Sequence, residues 1–246
     1  MHYKITIEYD GTNYVGWQKQ PDQKGNSIEE ILEQAVFNMT QERVKINGSG
    51  RTDAGVHAIA QVADFAITKE IENFRIMVGL NNHLRESNVV ITNCEKVSDE
   101  FNSRFSAKLR TYRYVIINRK SALALQKNRA WHVPVALNDA AMNEAASHLI
   151  GEHDFSAFRD AECQSKTPVK TVEKITINRN GEELIIEISA KSFLHHMVRN
   201  IVGTLVLVGS GKIAAQDVLE ILQSKDRKKS GPNAPACGLY FLGVDY

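Results

Sequence analysis

At 246 residues, 43% hydrophobic and 24% charged, the chain is long enough to bury a sizeable core and reads as an ordinary soluble globular protein of one large domain or two small ones. Thirty Lys and Arg against 29 Asp and Glu leave a formal charge of +1, which neither demands nor excludes nucleic acid, because a local basic face is what such a partner needs. Cys94, Cys163 and Cys237 are odd in number and form no Cys-x-x-Cys, which argues for reduced thiols in a cytoplasmic protein and against a disulfide framework or a zinc site; no signal peptide and no membrane-spanning apolar run are visible.

Tyr3, Ile5, Ile7 and Tyr9 alternate with polar residues, which predicts a half-buried strand closed by Asp10-Gly11. A loop with Pro21 and Gly25 as breakers runs to Ser27. Ser27 and Glu30 form a capping-box pattern, followed by a helical face of Ile28, Ile31, Leu32, Ala35, Val36 and Met39. Val44-Lys45-Ile46 predicts a short strand and Gln61 to Ile67 another, with a weaker helix over Ile71 to Val78 and a strand over Val89 to Val97. Leu109 to Ile117 is a strong strand with Arg110, Tyr112, Tyr114 and Ile116 on one face. Asn138 to Ile150 is helical, with Gly151 as its stop. Val172 to Ile177 and Leu184 to Ser189 flank Asn180-Gly181, a hairpin signal. Phe193 to Val208 predicts a long apolar helix, Ala214 to Leu222 a shorter one, and Leu239 to Val244 a closing strand. Mixed elements without regular β-α alternation predict an α+β fold with a largely antiparallel sheet. The irregular, basic stretch around Asn118-Arg119-Lys120 suggests a division into halves 1–122 and 123–246, with the boundary between Leu123 and Ala136.

The densest chemistry lies in Gly48-Ser49-Gly50-Arg51-Thr52-Asp53-Ala54-Gly55-Val56-His57. Glycines let a ligand approach the backbone, and an acid beside an arginine suits a held, ionised carboxylate. The alternative is a turn capped by Asp53, the commonest use of Asp beside Gly. Arg199 lies in an apolar run with Met197, Ile201 and Leu205, so its guanidinium must be paired or snorkel to solvent. His195, one turn earlier on the predicted helix, would share its face. Tyr112, flanked by Arg110 and Arg113, suits either base stacking or the core. His57 reads as a structural or supporting group, and Trp17 as either an exposed loop residue or a core anchor. His195-His196 lacks the spacing of a helical metal pair, so no metal is expected. Basic runs at Lys108 to Arg113, Arg119-Lys120 and Arg227 to Lys229 allow one positive face, with Glu29, Glu30 and Glu33 on an acidic back. Neither Gly-x-Gly-x-x-Gly nor a Walker loop occurs, so no nucleotide cofactor is expected.

The segment Gly50 to His57 resembles the catalytic-aspartate motif of the bacterial tRNA pseudouridine synthase A family. Asp10-Gly11-Thr12-Asn13-Tyr14-Val15-Gly16-Trp17-Gln18, Arg110-Thr111-Tyr112-Arg113-Tyr114, His195 to Gly203 and Gly238 to Leu242 are similar to further blocks of that family, in the same order. The resemblance implies two similar α+β halves whose sheets join, with a central active-site cleft between them. It implies an isomerase, a tRNA pseudouridine(38-40) synthase, that converts uridine to pseudouridine in the anticodon stem-loop of tRNA with no cofactor. It assigns Asp53 as nucleophile, Tyr112 as a contact to the base, and Arg199 as the partner that keeps Asp53 charged. Arg51 and Arg110 are carried as substrate-binding residues, Arg51 filling the space left by a flipped nucleotide. The family acts as a homodimer with one tRNA spanning both subunits. The rivals are a non-catalytic RNA-binding protein, which would have no need of Asp53, and an Asp-dependent hydrolase, which would need a second carboxylate or a metal cluster.

Overall fold

The computed structural model describes residues 1–19 and 25–246; the predicted breaker Pro21 lies outside the described residues. The chain forms two compact units, Met1–Lys108 with Tyr240–Tyr246, and Leu109–Leu239. The division therefore falls earlier than the expected 122/123 boundary. The reason is pairing: Arg110 to Ile117 pair in unbroken register with Glu183–Ala190, which places the strand Leu109–Ile117 in the second unit.

In the first unit, β1 (His2–Tyr9) lies between β3 (His57–Ala66) and β4 (Val89–Val97), antiparallel to both. Tyr3, Ile5, Ile7 and Tyr9 are all buried, as their alternation requires. Residues of β10 (Leu239–Asp245) run parallel beside the start of β3, Tyr240 opposite His57. α1 (Ile28–Thr40) opens on the expected capping box: Ser27 Oγ accepts from the Glu30 N–H, and Glu30 Oε2 accepts from the Ser27 N–H, both at 3.2 Å. α1 packs on α2 (Asn73–His83), which packs on β4. α2 starts two residues after, and runs five beyond, the predicted Ile71 to Val78.

Two strand expectations shift. The run Val44-Lys45-Ile46 is not in the ladder; the strand is β2 (Asn47–Gly48), paired to Asp64 and Ala63, while Ile46 is buried beneath it. β3 starts four residues before the predicted Gln61: His57 and Ala58 have β10 alongside and are both buried, and Ile59 is exposed, so no apolar alternation marks its start.

In the second unit the ladder runs β5 (Leu109–Ile117), β9 (Glu183–Ala190), β8 (Val169–Asn180) and β7 (Gly151–Asp154), all antiparallel, with β6 (Trp131–His132) parallel to β5. β8 and β9 form the expected hairpin, with Gly181 at φ +60° in its turn. α3 (Asp139–Ser147) is capped by Asn138 Oδ1 and packs on β8 and on α4 (Met197–Gly209). α3 is shorter than predicted, and Leu149 is buried in the turn that follows it. α4 is also shorter than the predicted Phe193 to Val208. Its N-cap residue, His196, sits at φ +61°, a conformation that no helix continues through, so His195 is not a helical turn before Arg199. α5 (Asp217–Ser224) follows. Each unit is thus α+β with a mostly antiparallel sheet. Among the described residues no helix is long and apolar enough to cross a membrane.

Candidate active site

The Asp53 loop is held from both sides by the first unit. On its N-terminal side the Ser49 N–H donates to Val62 O at 2.8 Å, and Gln61 receives the Ser49 hydroxyl at 2.6 Å and donates to Gly50 O at 2.9 Å. In its centre the Thr52 hydroxyl is buried against the Tyr9 hydroxyl at 2.8 Å, and Thr52 O accepts from the Trp17 N–H at 2.9 Å. Burial pushes the Tyr9 phenol well above its ordinary range, so it stays a neutral hydrogen-bonding group. Asp53 itself forms a two-residue β-bridge with Gly16, and its carbonyl closes a turn on the Val56 N–H at 3.1 Å.

Gly16 makes that bridge possible. It sits at φ +109°, and a Cβ there would lie 2.6 Å from Thr52 O. Trp17, almost fully buried, lies flat against Gly48, where any side chain would collide with the indole. It is a core anchor. His57 is buried too: Nδ1 accepts from the Gly11 N–H at 3.1 Å and lies 3.2 Å from Asp10 Oδ1, and the ring stacks on Tyr240 at 4.7 Å. Ser49, Gly50 and Thr52 before the acid and Val56 and His57 after it are therefore held, and the Asp53 side chain is half-buried. Arg51 is exposed. Its charge reaches Glu29 in the first turn of α1, whose carboxyl is raised by burial and by Glu33 and pulled back in part by the Lys19 N–H, Lys45 and Arg51.

In the second unit β5 puts Arg110, Tyr112, Tyr114 and Ile116 on one buried face, as predicted. Arg110 Nη1 donates to Lys191 O at 2.6 Å. Tyr112 meets Phe193 edge-on, with centroids 5.2 Å apart and planes at 89°. Tyr114 is wholly buried, and its hydroxyl donates to Pro235 O at 2.7 Å. Arg113 points the other way and binds Glu187 through Nε at 2.9 Å and Nη2 at 2.8 Å. Arg199, half-buried on α4, donates from Nε to Ala234 O at 2.7 Å, so it is not a snorkelling surface arginine. Ahead of it Asp160 Oδ2 holds His196 Nδ1 at 2.7 Å, and the His195 and His196 rings lie 3.9 Å apart. Hydrogen bonds from the Glu162 N–H and His196 outweigh burial and hold the Asp160 carboxyl below the usual range.

The basic runs are more structural than a free positive face would require. Arg119 binds Glu182 at 3.0 Å and two loop carbonyls, and Arg227 binds Asn200, Ser230 and Gly231. Lys120, Lys228 and Lys229 are exposed. Sequence reasoning missed Gly16, Thr52 and Tyr9 as supports of Asp53, and the segment Gly231 to Gly238 as the support of Arg199. The signal was glycine: Gly16 between Val15 and Trp17, and Gly231 and Gly238 bounding a Pro-containing segment.

A family model described as tRNA pseudouridine synthase matches residues 5–106 and 145–246, two stretches of equal length. The chain belongs to the tRNA pseudouridine synthase family. It is 48% identical over 246 residues to a protein of Ehrlichia ruminantium named tRNA pseudouridine synthase A, covering 100% of each chain. Proteins of the same name from Rhodospirillum centenum and Sinorhizobium fredii are 47% and 46% identical over 244 and 246 residues, covering 99% of each chain. The expectation of an enzyme of the isomerase class is met by this membership. The repeated match also agrees with two α+β halves built on one plan.

Proposed function

We propose that the protein isomerises uridine to pseudouridine in the anticodon stem-loop of cytoplasmic tRNA, at the nucleotides conventionally numbered 38, 39 and 40. The observation that carries this reading is the Asp53 loop, a half-buried acid whose neighbours are tied to the scaffold by Gly16, Thr52 and Gln61. A nucleophile must be held before its substrate arrives, and that loop supplies such preorganisation.

Asp53 attacks C1′ of the ribose or C6 of the base. By either route the N1–C1′ bond breaks, the uracil turns while held, and C5 bonds to C1′. The C5 proton leaves, N1 gains a proton, and Asp53 is released. The atoms balance without oxidant, reductant or group donor. Arg199 pairs with Asp53 and keeps it ionised. Tyr112 contacts the flipped base and assists removal of the C5 proton. Arg51 fills the gap left in the stack, and Arg110 serves substrate binding. The enzyme works as a homodimer, one tRNA spanning both subunits.

Tritium release from tRNA carrying 5-tritiated uridine tests this directly, comparing the parent with Asp53→Asn. Release by the parent and none by the variant, with tRNA binding retained, is the expected result. Binding without release by the parent would put a non-catalytic RNA-binding role in its place.

A further inference from the structure

Residues 231–238 form a strap across α4, and it touches Arg199 twice. The Arg199 Nε donates to Ala234 O at 2.7 Å, and the Ala234 N–H donates back to Arg199 O at 3.2 Å. The strap is pinned along its length. The Gly231 N–H donates to the buried Thr204 hydroxyl at 2.8 Å, and Gly231 O accepts from Arg227, which also binds the buried Asn200 on α4 at 2.8 Å. Gly203 allows the close approach, because a Cβ there would overlap the Pro232 carbonyl. One residue past Ala234, Pro235 O accepts the Tyr114 hydroxyl at 2.7 Å. Gly238 closes over the same tyrosine ring, with no room for a side chain.

Tyr114 therefore ties the core strand β5 to the strap holding Arg199. Its ring is completely buried, and its hydroxyl makes one directed bond. A phenylalanine would fill that volume equally well. The hydroxyl adds direction to the strap, and the strap fixes where the Arg199 Nε points. A guanidinium is a rigid planar fork, so holding Nε sets the plane in which its terminal nitrogens meet a carboxylate.

We propose that Tyr114, acting through the Ala234–Pro235 carbonyls, is a positioning residue for Arg199 in the isomerisation. The proposal rests on the assignment of Arg199 above and adds the device that aims it. Burial, with the nearby Cys237, raises the Tyr114 phenol far above its usual range, while Arg199 opposes the shift, so the hydroxyl remains a donor at every working pH.

The test is a double-mutant cycle on single-turnover tritium release, with Tyr114→Phe, Arg199→Lys and both together. A lysine ammonium can still donate to Ala234 O, but it has no planar fork, so holding it there does not set the direction of its other N–H groups. Tyr114→Phe should lower the rate about tenfold at unchanged tRNA affinity, in line with the sensitivity of catalysis to small misplacements. In the Arg199→Lys background the same change should alter the rate less than twofold. Gly203→Ala, which displaces the strap at Pro232, should show the same dependence on Arg199. It is an independent disruption should removal of the Tyr114 hydroxyl unfold the protein, which thermal melting would reveal. A purely structural tyrosine would depress both backgrounds equally, and that result overturns the proposal. If Arg199→Lys alone matches the parent, the assignment of Arg199 fails first, and the strap orients a residue outside the reaction.

Discussion

Replacing Gly16 by alanine separates the geometry of the Asp53 loop from its chemistry. Gly16 sits at φ +109°, a region that costs an L residue about 1–3 kcal/mol. The new Cβ would also lie 2.6 Å from Thr52 O and 3.1 Å from the Asp53 carbonyl carbon. Ordinary contact begins at 3.4 Å, so the Thr52 carbonyl must retreat by about 0.8 Å. Thr52 O is the acceptor of the Trp17 N–H, and Asp53 is the bridge partner of Gly16, so that retreat weakens both ties at once. The lost freedom of glycine in the unfolded chain returns up to about 1 kcal/mol. A net loss of about 2 kcal/mol is expected, which for a chain of this size lowers Tm by roughly 4–8 °C. If Asp53 is the nucleophile, a displacement approaching 1 Å lowers the rate about 10- to 100-fold. Thermal melting and single-turnover tritium release on the same preparation read the two effects. A Tm within 1 °C of the parent would refute the strain argument. A lowered Tm with an undiminished rate would refute the role given to Asp53.

Asp64 is almost fully buried and accepts from the Ser103 N–H at 2.7 Å, Asn47 Nδ2 at 3.0 Å and His2 Nε2 at 2.9 Å. Asp64→Ala leaves these groups without their acceptor, and urea unfolding should show a loss of about 4 kcal/mol with an unchanged slope. Burial alone would raise the Asp64 carboxyl, but the bonds from Asn47, Ser103 and His2 outweigh it and hold the folded-state value below 3.8. Its contribution is complete above that unfolded value and lost as the pH falls through the folded one, so the parent should lose stability below about pH 4 more steeply than Asp64→Ala. Shallower acid unfolding of the parent would contradict that sign. The cysteines should also divide by reactivity. Burial and Glu95 push the Cys94 thiol up to about 12, whereas at Cys163 the N–H groups of His195 and Ser165 and the Arg159 guanidinium outweigh burial and hold the thiol below its usual value. Alkylation near neutral pH, followed by peptide mass spectrometry, should label Cys163 well before Cys94; the reverse order would show that access overrides thiolate content.

What a short window of residues controls was legible from the chain. The alternation of Tyr3, Ile5, Ile7 and Tyr9 forecast a strand buried on one face, and Leu109 to Ile117 is β5 to the residue. Ser27 and Glu30 cap α1 as their spacing predicts, and Asn180-Gly181 turns the β8–β9 hairpin. These features depend on neighbours within a few positions, through periodicity, capping and turn chemistry. The Asp53 loop stood out for the same reason, since its glycines, acid and arginine are contiguous.

Contacts between residues far apart in the chain decided the rest. α4 begins at Met197 because His196 is held in a left-handed conformation beside Asp160, 36 positions away. β2 falls on Asn47–Gly48 because the free edge of β3 opposite Asp64 and Ala63 is where a ladder can form. The apolar Val44 to Ile46 only supplies the core beneath it. Likewise Tyr112 and Tyr114 share one face of β5 and look alike in the sequence, yet one meets Phe193 and the other the Pro235 carbonyl, 121 residues on. Local sequence determined the long strands, the helices and the hairpin turn; the short strands, the register, the helix ends and the aim of each polar side chain were decided by partners that only the folded chain brings within hydrogen-bonding distance.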